Sequence, residues 1–113
     1  HDEECKKLEF DLADFGMISL QTVGANLVEL EKSVSWEILL DKITTGPRKV
    51  LGMQCPTIAE DEKANLTLFD PTRTWTLNDK TNQSKSRNSP WFGKEITGKA
   101  VAVFNNGKNW IDN

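Results

Sequence analysis

An alternation of apolar and polar residues recurs along this chain, and it constrains the fold more than any other feature. The strongest run places Val34, Trp36, Ile38 and Leu40 at every second position. Weaker runs of the same period cover residues 8–12, 18–22, 66–69, 75–77 and 100–104. Such alternation is typical of strands that bury one face, because successive side chains of a strand point to opposite sides.

Turn-forming residues separate these runs. They are Gly16, Gly24, Gly46-Pro47, Asp70-Pro71, Ser89-Pro90 and Asn106-Gly107. The last pair suits a tight hairpin, because both residues tolerate a positive φ. Short strands with frequent turns predict an all-β fold. We therefore expect residues 1–113 to form a single β-sandwich domain of about seven or eight strands.

Two segments also fit a helix. Thr57 and Glu60 have the spacing of a capping box, which predicts a short helix near 57–64. Residues 2–15 fit a helix with Leu8 and Leu12 on one face, but the alternation in 8–12 fits a strand equally well. Pattern alone does not decide between them, and we favour the strand.

The groups that catalysis most often needs are scarce. The only histidine is His1, there are two cysteines, Cys5 and Cys55, and there is no tyrosine. An interior histidine, a Cys/His pair or a glycine-rich phosphate loop cannot be assembled from these residues. We therefore predict no catalytic residues, no metal site and no cofactor, and a protein that is not an enzyme.

The cysteines and two glycosylation triplets favour a secreted protein. Cys5 and Cys55 are compatible with one disulfide in an oxidising compartment, and we predict that they form it. Asn65 and Asn82 begin Asn-X-Thr/Ser triplets and are candidate glycosylation sites. The alternative is a cytosolic protein with two buried thiols.

Residues 78–90 contain no apolar side chain except Pro90, so this segment predicts a surface loop. Its basic residues suit an anionic partner or simply face water. The aromatic pair that follows is rigid and suits either an interface anchor or a plug for the end of the sandwich. The candidate interface residues are Lys85, Arg87, Pro90, Trp91 and Phe92.

Several short segments resemble the ToxA-like group of secreted fungal effectors. They are residues 35–39 (SWEIL), 43–46 (ITTG), 48–50 (RKV) and 109–110 (NW). This resemblance implies a small disulfide-linked β-sandwich that acts on a host. The arginine-glycine-aspartate loop of that family has no counterpart here, so recognition through that tripeptide does not carry over.

Other segments resemble chagasin-type inhibitors of cysteine proteases. They are residues 27–30 (LVEL), 44–46 (TTG) and the Pro90-Trp91 pair with Gly93. This resemblance implies an immunoglobulin-like sandwich that wedges loops into a protease cleft, with Pro90-Trp91 as one wedge.

The predicted function is that of a secreted, extracellular and non-enzymatic interaction protein, a fungal effector and virulence protein. Its alternatives are a protease inhibitor and a carbohydrate-binding module that stacks an exposed tryptophan on a sugar ring. We expect a monomer with a protein partner from a host. A sequence pI near 5.1 argues against nucleic acid as a partner. No apolar run is long enough for a membrane span.

Overall fold

The computed structural model of the chain describes residues 4–112, with helices in the first half and strands in the second. The helices are α1 (Val23–Glu31), α2 (Trp36–Ile43) and α3 (Thr45–Val50), and the strands are β1 (Leu66–Thr76), β2 (Glu95–Asn105) and β3 (Lys108–Ile111). Two single 3₁₀ turns lie at Glu4–Lys6 and Leu20–Thr22. The predicted all-β sandwich of seven or eight strands is therefore wrong.

Helix α2 occupies the segment with the strongest strand-like alternation. Trp36, Leu39, Leu40 and Ile43 stand at positions i, i+3, i+4 and i+7, which is the spacing of a helical face. The same stretch thus has both the two-residue period of a strand and the 3.6-residue period of a helix. An acidic residue in the first turn and a basic residue in the last turn complement the helix dipole.

The three strands form one antiparallel sheet in the order β1-β2-β3. The β2–β3 hairpin turns at Asn106 and Gly107, whose φ angles are 50° and 73°. Phe104 pairs with Asn109 on either side of that turn. The predicted Asn106-Gly107 hairpin is confirmed, and the alternating runs at 66–69 and 100–104 lie within strands.

The β1–β2 pairing is interrupted between Asp70 and Thr74. Pro71 lies in this interruption, where its missing N–H breaks no ladder hydrogen bond. The Asp70 carboxylate accepts hydrogen bonds from the Thr72 backbone N–H and hydroxyl, both at 2.8 Å. These bonds stabilise the charged form, so the pKa of Asp70 is lowered.

Two glycines let α1 lie close to the sheet. A Cβ on Gly98 of β2 would come within 2.7 Å of Val28 Cγ2 and 2.8 Å of Phe69 Cζ. A Cβ on Gly24 of α1 would also collide with the Phe69 ring. Trp36 completes this contact, with its ring centroid 6.1 Å from that of Phe69. The helix and the sheet are thus joined around one aromatic side chain.

The buried core is small for a chain of this length. The apolar residues in it are Ala25, Leu27, Leu39, Leu77 and Ala102. Many larger apolar side chains are exposed, among them Phe15 and Leu20. In the part of the chain described here, no helix is long and apolar enough to cross a membrane.

Three further predictions fail. The described part of residues 2–15 forms neither a strand nor an α-helix, because Glu4–Lys6 makes only one 3₁₀ turn and bends follow it. Residues 57–64 form no helix, and Asp61 has a φ of 64°, which an α-helix does not allow. Cys5 and Cys55 are free thiols, the first half-buried near the start of the chain and the second in a fully exposed stretch, so the predicted disulfide is wrong.

Candidate functional site

The segment between β1 and β2 is the candidate site. We call residues 78–93 the polar loop, and within them no helix or strand forms, as the sequence predicts. Leu77, which precedes the loop, is 2% exposed and anchors its base. The Leu77 carbonyl accepts a hydrogen bond of 2.7 Å from Gly93 N–H, so the two ends of the polar loop are tied together.

Short side chains at every second position organise the loop. The Asn82 carboxamide oxygen accepts a hydrogen bond from Ser84 N–H at 3.0 Å. The Ser84 hydroxyl accepts one from Ser86 N–H at 3.3 Å, and the Ser86 hydroxyl accepts one from Asn88 N–H at 3.2 Å. Each is a local side-chain turn that mimics a backbone turn. The loop is therefore ordered without burying an apolar face.

The start of the loop is fixed by Thr81. Its hydroxyl donates to the Thr76 carbonyl at 2.6 Å and accepts from Asn78 N–H at 2.9 Å. The Asn78 carboxamide oxygen in turn accepts from Lys80 N–H at 2.9 Å. These bonds connect the loop directly to the last residue of β1.

A second segment, residues 16–21, lies against the polar loop. The Gln21 carboxamide donates to the Thr81 carbonyl at 2.6 Å and accepts from Gln83 N–H at 2.9 Å. At the other end, Asn88 donates its side-chain N–H to the Gly16 carbonyl at 2.9 Å, and its own carbonyl accepts from Ile18 N–H at 2.9 Å. We call these four hydrogen bonds the polar seam.

The predicted interface residues divide into two groups. Lys85 and Pro90 are exposed, whereas Trp91 and Phe92 are half-buried. The Arg87 guanidinium is 2.8 Å from an Asp79 carboxylate oxygen and lies 6.0 Å from the centre of the Phe92 ring. Its charge is therefore engaged within the loop. The role of these five residues in binding stays a prediction.

The two candidate glycosylation sites differ in their surroundings. Asn65 is exposed just before β1. The Asn82 side-chain N–H groups donate to the carbonyls of Ser84 and Ser86, at 3.0 and 3.1 Å. Glycosylation at either site stays a prediction.

A charge cluster joins the three strands away from the loop. One Asp112 carboxylate oxygen is 2.7 Å from Lys99 Nζ and 2.9 Å from Arg73 Nη1. The hydrogen bond from Lys99 and the two positive charges lower the pKa of Asp112. Among residues 4–112, no three histidine, cysteine or acidic side chains are grouped closely enough to hold a metal ion.

The residues that form the polar seam were not predicted. Gln21 lies in a run interpreted as a strand, and Asn88 was treated only as part of a polar stretch. A signal was present in the alternation of Asn82, Ser84, Ser86 and Asn88, because short polar side chains two residues apart are typical of consecutive side-chain turns.

Comparison with known proteins points to one class of enzyme. A dihydroorotase of Aquifex aeolicus is 36% identical over 105 residues, which are 88% of this chain and 25% of the relative. Dihydroorotases of Chlorobaculum tepidum and Geobacter metallireducens are 34% and 36% identical over 111 residues, or 96% of this chain. The chain is similar to dihydroorotases. It spans about a quarter of the length of these curated relatives, and no family model matches it.

This likeness corrects the functional predictions. Relatives that are metabolic enzymes overturn the secreted effector, its virulence role and its extracellular location. They also overturn the prediction that the protein is not an enzyme, because they indicate an enzyme-related segment. The error arose because the scarcity of histidine and cysteine was taken as a property of a whole protein. A segment that matches a quarter of an enzyme does not have to contain the enzyme's reactive groups.

Proposed function

We propose that this chain is one part of a dihydroorotase, and that the assembled protein acts on dihydroorotate. The observation that supports the proposal most strongly is its 34–36% identity to dihydroorotases of three organisms over 88–96% of its length. The similarity extends over nearly the whole chain, so it does not rest on one short motif.

Within that enzyme, we assign this chain a supporting role. The sheet and α1 are joined through Phe69, and the polar seam fixes residues 16–21 against the polar loop. Loops that are held by a rigid scaffold commonly carry binding and catalytic groups. In this proposal, the chain supplies such a scaffold. The protein partner expected from the sequence then becomes the remainder of the enzyme rather than a host protein.

The test is a chimera. The aligned quarter of the Aquifex aeolicus dihydroorotase is replaced by this chain, and the conversion of dihydroorotate is measured. We expect activity within about tenfold of the host enzyme, which corresponds to about 1.4 kcal/mol in the activation free energy. A chimera that is folded but has no activity above background contradicts the proposal.

The control chimera carries the matching quarter of the Geobacter metallireducens dihydroorotase in the same host. Its activity shows how much is lost when the inserted segment is a genuine but divergent dihydroorotase sequence. The chimera with this chain is expected to match the control chimera.

A further inference from the structure

The chain exposes far more surface than a compact protein of its mass. Its accessible surface is 9098 Å², against about 6,200 Å² expected for a folded monomer of 12.7 kDa. Its radius of gyration is 16.6 Å, against about 13.3 Å expected for 113 residues. The excess surface is about 2,900 Å².

Part of this excess is an apolar strip along the helical half. In α2, Leu39 is only 7% exposed, but Leu40 and Ile43 on the same helical face are 45% and 46% exposed. At the end of α3, which packs against α2, Val50 and the following Leu51 are 87% and 71% exposed. We call Leu40, Ile43, Val50 and Leu51 the apolar strip. An amphipathic face that is only half covered indicates a contact that the chain does not make by itself.

The size of the excess indicates a contact larger than the standard size. A contact of standard size covers about 800 Å² of each partner, which leaves about 2,100 Å² of the excess in water. Obligate contacts, between subunits or within one assembled protein, are larger and more apolar. The relatives are about four times as long as the matched segment, so about three-quarters of their length is available to cover it.

We propose that the apolar strip is the surface on which the remaining three-quarters of a dihydroorotase polypeptide packs. This inference rests on the proposed function. It adds the surface of contact and its character, which is an apolar face centred on Leu40 and Ile43. Charges placed there are tolerated in the isolated chain, where water reaches both positions, but are buried without partners in the assembled protein.

The experiment measures the same substitution in two contexts. The double variant Leu40→Glu/Ile43→Glu and the control Lys42→Glu are made in the isolated chain and in the chimera with the Aquifex aeolicus enzyme. Lys42 is exposed on the same helix, so its variant reports the effect of a charge change outside the strip. Thermal unfolding of all six proteins is followed, including the two unsubstituted ones.

We expect the double variant to lower the unfolding midpoint of the chimera by more than about 5 °C. In the isolated chain the same change is expected to shift the midpoint by less than about 2 °C, and Lys42→Glu is expected to have a small effect in both contexts. Equal small shifts in both contexts overturn the inference. A dimer of the isolated chain that the double variant dissociates, seen by sedimentation, also overturns it, because a second copy then occupies the strip.

Failure of the inference can be distinguished from failure of the proposed function. An inactive chimera that still shows the large shift refutes the function and supports the contact. An active chimera without the shift supports the function and refutes the contact. If the chimera does not fold, the tagged chain is co-expressed with the host enzyme lacking its aligned quarter. Co-purification that the double variant abolishes and Lys42→Glu retains supports the inference, and no co-purification overturns it.

Discussion

Individual polar side chains hold residues 78–88 of the polar loop in place, while Leu77 before the loop is buried and Trp91 and Phe92 near its end are half-buried. The Gln21 carboxamide pairs with the loop backbone as a neighbouring peptide group would. It donates to the Thr81 carbonyl and accepts from the Gln83 N–H, two residues further along. Its hydrogen bonds are exposed, so each contributes little net stability, but together they set the position of the loop relative to residues 16–21.

Replacing Gln21 with alanine tests the polar seam. The variant removes one donor and one acceptor, so we expect amide exchange at Gln83 to accelerate about 2- to 10-fold. The control is Gln83→Ala, because no hydrogen bond of the Gln83 side chain is found within residues 4–112 and its backbone N–H is kept. Hydrogen exchange followed by NMR measures both variants. Equal exchange rates in Gln21→Ala and the unsubstituted chain contradict the assigned role.

The existence of the polar loop could be predicted at the residue level, but its rigidity could not. A stretch without apolar residues excludes a core position, which identified residues 78–90 as a surface loop. The partners in the seam are 60 or more positions apart in sequence, as Gln21 and Thr81 are. No local pattern reports such a contact.

Among the secondary-structure elements, the alternating runs at 66–69 and 100–104 lie in strands as predicted, but the runs at 8–12, 18–22 and 34–40 form no strand. The three helices were not predicted. In β1 and β2, alternation coincides with β-branched residues and ends at turn residues, so several signals agree. In α2, the sequence WEILLDKI fits both the two-residue period of a strand and the 3.6-residue period of a helix. Its good helix formers and the order of its charges, acidic first and basic last, favour the helix. Only two of the eight residues of α2, Ile38 and Ile43, are β-branched, and the strand-like alternation obscured this signal.

Substitution of Gly98 tests the contact between α1 and the sheet. Alanine at this position meets Val28 and Phe69 and also disfavours the φ of 103°, so we expect the free energy of unfolding to fall by about 2–4 kcal/mol. Gly52→Ala is the matched control, because Gly52 has a φ of 66° and nothing within 4 Å of the added Cβ. Its expected cost is about 1 kcal/mol. Urea unfolding measures both, and equal losses would show that close packing at Gly98 contributes nothing.

At the scale of the whole molecule, the predicted β-sandwich is wrong because it requires apolar residues in a periodic pattern to cover one another. Phe10, Leu20 and Ile58 are 89–92% exposed, so residues 4–112 leave these side chains uncovered. A periodic pattern shows that a face is meant to be buried but not what buries it. That missing information distinguishes a self-contained binding domain from the part of an enzyme that we propose.

The same exposure makes a prediction about unfolding of the isolated chain. An unfolded chain of this mass exposes about 18,400 Å², so folding to 9098 Å² buries about three-quarters of what a compact protein of equal mass buries. The dependence of unfolding free energy on urea concentration scales with the surface exposed on unfolding. We therefore expect an m-value about three-quarters of that of a compact single-domain protein of similar length, measured beside it in the same buffer. An m-value equal to that of the compact protein would mean that the isolated chain closes over its own apolar side chains, and the unpartnered surface described above would not exist in solution.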